Sequence, residues 1–309
     1  MRPIRAVLRL SAILALALSA ATVAGCASSR SHTLSSDAGA YWCVMHPHIR
    51  GDASSKCPIC GMPLVRAAAA DFRPYTLDME IEPRALQPGQ PGQLRFRVRD
   101  PRTGAPVTRL EMLHERLFHL FVVSHDLEYF SHVHPVERPD GALELEVTLP
   151  RAGAYRLIAD FLPEGGAPQL IERSIATAGY RGSLGPVSAP AVDLSRKVVN
   201  GTRVEMFGPT AVAGVEQLLT FELSDDLSGQ PITDLEPYLA ATGHLLVVHS
   251  NLSVSFHSHP VAEITKQFGP TIVFQMVFPR AGIYRVWVQF QRHGKVGTAE
   301  FTLSVAERH

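Results

Sequence analysis

The chain has 309 residues, a length that typically corresponds to two domains of ordinary size. Its 29 Lys and Arg residues balance 29 Asp and Glu residues, so it lacks the excess of positive charge on which nucleic-acid binding depends. Hydrophobic residues make up 46% and charged residues 19%, which favours a folded protein over a disordered one. The four Cys and 14 His residues cluster along the chain, and these clusters point to its chemistry.

The amino terminus has the pattern of an export signal. Three arginines precede an apolar run that is short for a membrane span and ends in small residues. The final residues, VAGC at positions 23–26, resemble the lipobox of bacterial lipoproteins, which implies a signal peptide over residues 1–25 and lipidation of Cys26. We therefore expect a periplasm-facing protein anchored in the bacterial cell envelope by acyl chains, with Ala27 favouring the outer membrane. Residues 26–40 have almost no large apolar side chain and are expected to form a flexible tether.

A small Cys and His module follows at residues 41–66. Removing Cys26 leaves three cysteines, and an odd number argues against a closed disulfide framework. Cys43 and His46 form one C-x-x-H knuckle, and Cys57 and Cys60 form a C-x-x-C knuckle. Three thiolates and one imidazole make a tetrahedral donor set. So short a segment has few apolar residues, and a bound metal would supply its missing folding free energy.

The sequence YWCVMHP…KCPICGMPL in this module resembles a known family. It is similar to the heavy-metal-binding domain attached to copper-transporting P-type ATPases and to periplasmic adaptor subunits of copper and silver efflux pumps, with Val replacing the usual Pro at position 44. The resemblance implies a heavy-metal ion, Cu(I) or Zn(II), with a metal-efflux protein as a partner. The implied ligands are Cys43, His46, Cys57 and Cys60.

Two methionines beside these donors, Met45 and Met62, have two interpretations. Thioethers favour soft ions such as Cu(I) and Ag(I), and the same side chains would also serve to pack a small core. The cysteines likewise leave alternatives. A redox C-x-x-C pair is disfavoured because no strand-then-helix pattern surrounds it, whereas a purely structural zinc knuckle stays open.

The remainder of the chain is an internal duplication. An offset of 125 residues superposes 94–111 on 219–236 and 119–135 on 244–260, and the segment PRAGAYRL matches PRAGIYRV at an offset of 129. We therefore predict a first repeat over residues 70–178, a linker over 179–196 and a second repeat over 197–307.

Both repeats alternate apolar and polar residues with period two, and turn residues recur about every ten positions. This pattern predicts an antiparallel β-sandwich of seven or eight strands in each repeat. Tyr155 and Tyr284 resemble the tyrosine corner of immunoglobulin-like domains, although the disulfide cysteine of antibody domains is replaced by Leu157 and Val286. The predicted fold is mainly β, with a small metal-binding knuckle module and two tandem immunoglobulin-like sandwiches.

Histidines recur at equivalent positions of the two repeats. In the first repeat a tight turn near Asp126 would form a hairpin that places His119 opposite His134, with His132 on the same face. Three imidazoles on one face suit Cu(II) or Zn(II), and the alternative is a set of buried hydrogen-bonding residues. The second repeat has the same pattern in His244, His257 and His259.

Other histidines do not fit this pattern. His125 and His249 occupy turn positions that are not equivalent between the repeats, and we expect both to be exposed. His114, His293 and His309 have no partners in the repeated pattern.

No nucleophile and base grouping, phosphate-binding loop or nucleotide fingerprint occurs in the sequence, which predicts a protein that is not an enzyme. The expected function is binding of heavy-metal ions, copper first with zinc or silver as further ions, for buffering, tolerance or delivery to an efflux partner. The alternative is an envelope adhesion or assembly protein in which the Cys and His module is a structural zinc site. A copper-dependent oxidoreductase is a weaker third hypothesis.

Overall fold

The alternating sequence forms antiparallel strands. The computed structural model describes residues 41–42, 50–52, 55, 64–66, 74–184, 188–208, 210–261 and 268–308. The mainly β prediction is confirmed, because strand is the dominant regular structure of these residues. The strands are β1 Tyr41–Trp42, β2 Arg50–Gly51, β3 Val65–Arg66, β4 Thr76–Glu82, β5 Pro91–Arg99, β6 Leu110–Glu111, β7 Phe118–Ser124, β8 Phe130–Val133, β9 Val136–Glu137, β10 Leu143–Thr148, β11 Ala154–Pro163, β12 Gln169–Ala176, β13 Lys197–Val199, β14 Thr202–Phe207, β15 Ala211–Val212, β16 Glu216–Asp225, β17 His244–His249, β18 Ser255–Ser258, β19 Thr271–Val277, β20 Gly282–Arg292 and β21 Lys295–Ala306.

Several predicted features lie outside the described residues. These are the signal peptide, the tether with the lipidated Cys26, and the ligands and thioethers of the amino-terminal module, namely Cys43, Met45, His46, Cys57, Cys60 and Met62. Within the described part of the chain, no helix has the length and hydrophobicity needed to cross a membrane.

The described part of the module is a small three-stranded sheet in which β1 pairs with both β2 and β3. Trp42 and Leu64 are its buried apolar side chains, each 4% exposed, and the guanidinium of Arg50 lies 5.2 Å from the Trp42 ring centroid. So small an apolar core is consistent with a segment that needs a bound ion to fold.

The first repeat is a sandwich of two sheets. One sheet has the order β4-β5-β10-β9, and the other has the order β12-β11-β7-β8 with β6 paired to β11. β5 turns Leu94, Phe96 and Val98 into the core between the sheets. From the opposite sheet, β7 contributes Phe118 and Leu120 to the same core.

The second repeat has the same architecture, with sheets β13-β14-β16-β19 and β15-β21-β20-β17-β18. Its core includes Phe221 and Phe274 from one sheet and Phe301 from the other. Each repeat has nine strands among the described residues, slightly more than predicted, because short strands such as β6, β9 and β15 add to the longer ones.

The tyrosine corners are confirmed in both repeats. The hydroxyl of Tyr155 donates to the Arg151 carbonyl at 2.9 Å, and the hydroxyl of Tyr284 donates to the Arg280 carbonyl at 2.8 Å. A buried tyrosine that bonds to backbone a few residues upstream is the hallmark of this corner in immunoglobulin-like sandwiches.

The two repeats pack against each other through the outer faces of the sheets that contain β7 and β17. Because side chains alternate along a strand, Leu120 and Val122 face the core of the first sandwich while Phe121 and Val123 face the second repeat. All seven residues of β7 are buried, since both of its faces are covered. The inter-repeat cluster comprises Phe121, Val123, Leu127, Ile158, Leu246, Val248, Leu252 and Trp287, with Phe130 packed against it.

An aromatic pair joins the repeats within this cluster. The Trp287 ring from the second repeat stacks on Phe130 of the first, with ring centroids 5.1 Å apart, and Trp287 is only 1% exposed. Its area and its position make it a main contributor to the contact between the repeats.

We expect Trp287→Ala to lower the free energy of unfolding by about 3–5 kcal/mol, because it leaves a large cavity at this contact. Urea denaturation followed by circular dichroism would measure the change. Leu227→Ala is the matched control, since Leu227 is 98% exposed, and its effect should stay within about 0.5 kcal/mol. Equal effects of the two substitutions would contradict the assigned packing.

Candidate metal centre between the two repeats

Seven histidines gather, among the described residues, where the two sheets face each other. The residues predicted as two separate triples lie at one contact between the repeats, together with His114, which is outside the repeated pattern. These residues are His114, His119, His132, His134, His244, His257 and His259.

The first group, which we call site 1, consists of His119, His132 and His134. The ladder between β7 and β8 pairs Leu120 with Val133, so the next position brings His119 to His134 as the hairpin predicted. The Nδ1 atom of His119 lies 3.1 Å from Nε2 of His132 and 3.2 Å from Nε2 of His134, and the latter two atoms are 3.2 Å apart.

Hydrogen bonds on the other side of these rings determine where their protons lie. Nε2–H of His119 donates to the Leu113 carbonyl at 3.0 Å, and Nδ1–H of His132 donates to Oε1 of Gln289 at 2.7 Å. A neutral imidazole has a single N–H, so Nδ1 of His119 and Nε2 of His132 both present lone pairs. Nε2 of His134 lies 3.2 Å from both atoms, so in the metal-free protein its N–H can donate to them, and a cation can take the place of that proton.

The second repeat reproduces this arrangement. Nε2–H of His244 donates to the Tyr238 carbonyl at 2.9 Å, and Nδ1–H of His257 donates to Oδ2 of Asp160 at 2.8 Å. Nδ1 of His244 and Nε2 of His257 are therefore both acceptors, and they lie 3.1 Å apart. Each repeat therefore contains a pair of imidazole acceptor nitrogens 3.1 Å apart.

Asp160 and Gln289 hold the rings from the opposite repeat. Asp160 on β11 is the backbone ladder partner of His119, but its side chain accepts a hydrogen bond from His257 of the other repeat. Likewise, Gln289 on β20 is the ladder partner of His244, but its side chain accepts from His132. Carboxylates and amides in this position fix the tautomer of a metal-binding histidine. Sequence reasoning missed both residues, although they align at the offset of 129 that relates the PRAG segments.

The second group, which we call site 2, includes a residue of the first repeat. Ligand atoms of His114, His244 and His259 all lie within 4.8 Å of one another. His114 is outside the repeated histidine pattern, and the docked repeats bring it to a site that its own repeat does not contain.

Burial keeps these imidazoles neutral. It lowers the pKa of His114 and His134 to about 3, with neighbouring histidines adding to the effect, and it lowers the pKa of His132, His244 and His257 well below the usual range. Neutral imidazole is the form that binds metal, so an ion entering at neutral pH does not have to displace protons.

The carboxyl group of Asp160 is the acidic group within this cluster. Burial raises its pKa, while the adjacent histidines oppose that shift. It accepts the Nδ1–H of His257 and supplies negative charge close to the lone pairs of site 2.

Two other histidines are buried in the hairpin turns. His125 and His249 were expected to be exposed, but they are 2% and 7% exposed. The turn that contains His249 folds over its ring, where Nδ1 accepts the N–H of Asn251 at 3.1 Å and Nε2 donates to the Ala281 carbonyl at 3.2 Å. This expectation was wrong because the hairpin turns pack against the neighbouring strand ends.

We expect the metal-free protein to lose stability as the pH falls from about 7 to about 5. Unfolded histidines have a pKa near 6.5, so the unfolded chain takes up protons that the buried His114 and His134, with pKa values of about 3, exclude. Urea midpoints at the two pH values would measure the loss. The double variant His114→Asn, His134→Asn should show a smaller loss, and an unchanged pH dependence would contradict burial of neutral rings.

Comparisons with solved structures find matches at low similarity only. The Escherichia coli adhesin FdeC is 14% identical, over 79% of this chain and 68% of that chain, with a TM-score of 0.24. Invasin, described as a bacterial integrin-binding protein, is 14% identical over 74% and 39%, with a TM-score of 0.20. Fibronectin(III)-like modules of Clostridium thermocellum CbhA are 12% identical over 76% and 97%, with a TM-score of 0.21. These values are too low to support any statement about function.

Comparison with sequences is more specific. No curated protein matches the chain significantly. The model of the family described as Heavy metal binding domain matches residues 40–67, which include the Cys and His module. A second family model matches residues 70–175 and again residues 197–307. Because these two matches together span more than half of the sequence, the chain belongs to the family described as Domain of unknown function (DUF8832).

Proposed function

We propose that this chain is a lipid-anchored, non-enzymatic protein of the bacterial cell envelope that binds heavy-metal ions, copper first, with zinc and silver as further ions. One observation carries the proposal: a segment matching a heavy-metal-binding domain is joined to repeats in which buried, neutral imidazole lone pairs face one another. A metal ion would relieve the repulsion between lone pairs that face each other.

The two donor sets suit different ions. Thiolates at Cys43, Cys57 and Cys60 with His46 favour soft or borderline ions, Cu(I) and Zn(II), and the neighbouring thioethers would add preference for Cu(I) or Ag(I). The all-imidazole sites favour Cu(II) and Zn(II). A chain with both sets is able to hold copper in either oxidation state.

An envelope location gives this binding a physiological use. The lipobox resemblance at Cys26 supports anchoring outside the inner membrane, and residues 26–40 would let the module and the repeats that follow it reach a partner near the membrane. We propose metal buffering, tolerance or delivery to an efflux protein as the role. The competing hypothesis is an adhesion protein in which the module is only a structural zinc site.

The triple variant Cys43→Ser, Cys57→Ser, Cys60→Ser tests the module in the full mature chain. We expect it to lose tight Cu(I) binding and to keep binding of Cu(II) and Zn(II) at the imidazoles. Competition with a chromophoric chelator under anaerobic conditions would measure both. His293→Asn is the matched control, because His293 is exposed and bonded to Asp234, and it should bind as the wild type does. Unchanged Cu(I) affinity in the triple variant would contradict the proposal.

Asp160 provides a second test through its bond to His257. Asp160→Ala removes the acceptor that fixes the His257 tautomer, and we expect Zn(II) affinity at site 2 to fall about 10–100-fold. Asp160→Gln introduces the residue type that the second repeat has at the equivalent position, Gln289, and should restore most of the Zn(II) affinity. Zinc titration with a fluorescent chelator would measure these affinities. Equal affinities in the wild type and the alanine variant would exclude His257 as a ligand.

A further inference from the structure

We propose that His114 of the first repeat is a ligand of site 2 beside His244 and His259, so that an ion bound there clamps the two repeats together. This inference rests on the proposed metal binding and adds a division of roles: site 2 is closed and structural, whereas site 1 is open and exchangeable. The ligand class is a divalent borderline ion, Zn(II) or Cu(II), since all donors are imidazole nitrogens.

A tight turn presents His114 to the second repeat. Leu113 and Arg116 exchange both backbone hydrogen bonds, at 2.8 and 2.9 Å, and the two residues between them have positive φ angles of 44° at His114 and 62° at Glu115. Residues with side chains rarely adopt this conformation, and where they do so the surrounding structure holds them.

The second repeat contains the same turn with a different side chain. Tyr238 and Ala241 exchange the equivalent bonds, and Leu239 has a φ angle of 51°. Duplication therefore explains the turn in both repeats but not the histidine, because the position of His114 is a leucine in the other repeat. The difference makes the two metal sites unequal.

Contacts at His114 point to coordination. Its ring stacks on His259 with centroids 3.5 Å apart, and it lies edge-on to His244 at 5.5 Å. Both ring nitrogens of His259, which is 6% exposed, lack a hydrogen-bond partner among the described residues. Leaving such a group buried and unpaired is unfavourable, and an ion would satisfy it.

Site 2 draws its donors from both repeats. His114, His244 and His259 have ligand atoms within 4.8 Å of one another, and His257 adjoins this group, with its Nε2 3.1 Å from Nδ1 of His244. Because one ligand comes from the first repeat and two come from the second, the ion would oppose separation of the repeats.

Site 1 differs from site 2 in exposure. Two of its three imidazoles, His132 and His134, are only partly buried, whereas at site 2 both His244 and His259 are buried and only His114 is partly buried. Ions at the more exposed site 1 should therefore leave faster than ions at site 2.

The test compares His114→Asn with the matched variant His134→Asn in a full chain that carries Ser at positions 43, 57 and 60 and Trp42→Phe. Trp42 and Trp287 are the two tryptophans of the sequence, so the tryptophan fluorescence of this parent variant comes from Trp287 alone. Trp287 lies at the contact between the repeats. Zn(II) is the probe. We expect the parent to bind two ions, one released rapidly to a chelator and one slowly, and Zn(II) to raise the urea midpoint of Trp287 fluorescence.

His114→Asn should remove the slowly released ion, weaken one site at least about tenfold and abolish most of the rise in the Trp287 midpoint. His134→Asn should remove the rapidly released ion and keep that rise. His114→Leu, which copies the turn of the second repeat, should fold normally and behave as His114→Asn does, so a folding defect would not be mistaken for ligand loss.

Two outcomes would overturn the inference and leave the proposed function intact. In the first outcome the parent binds two Zn(II) ions, and both His114 variants bind them with the same affinities, the same release rates and the same rise in the urea midpoint of Trp287 fluorescence. The other is a parent that binds no Zn(II) while the wild-type chain binds Cu(I). Absence of binding by the wild-type chain to any of these ions would instead reject the proposed function itself.

Discussion

The structure depends on an electrostatic conflict at the contact between the two repeats. In each repeat two imidazole nitrogens lie 3.1 Å apart, and the protons of both rings are engaged with acceptors elsewhere. Burial disfavours the protonated rings that would resolve the conflict. Backbone carbonyls at Leu113 and Tyr238 hold one ring of each pair, so the rings do not have to rotate away. A cation is the natural complement of this arrangement.

Apolar packing makes that arrangement sustainable. The outer faces of β7 and β17 contribute Phe121, Val123, Leu246 and Val248 to a core that belongs to neither sandwich alone. Burial of these side chains provides the free energy that brings the histidines of both repeats together and removes them from water. The Phe121 ring shows the link, because it stacks on His132 at 4.1 Å and also contacts His257 from the other repeat. Repeat docking and ligand placement are thus one structural event.

Duplication followed by divergence explains the chemistry of the centre. Equivalent positions carry equivalent histidines, and the crossed acceptors are equivalent in place but differ in charge, Asp160 in one repeat and Gln289 in the other. The equivalent turns differ as well, with His114 in one and Leu239 in the other. Two differences at equivalent positions give one site a donor from the other repeat and a nearby carboxylate. The two sites of this protein are therefore unequal.

The local sequence pattern predicted much of the fold and part of the candidate metal centre. Period-two alternation predicted the sandwiches, the PRAG segments predicted the tyrosine corners, and the spacing of His119, His132 and His134 predicted one shared face, because strand geometry and hairpin register act over a few residues. The joining of the two triples was not predicted, although the unbroken apolar runs of β7 and β17 are the signal of strands covered on both faces. Only the tertiary structure decided that His114, Asp160 and Gln289 belong to the centre, since each acts across the contact between repeats. Contacts of that kind depend on how two folded surfaces fit, and no short-range spacing in the chain encodes them.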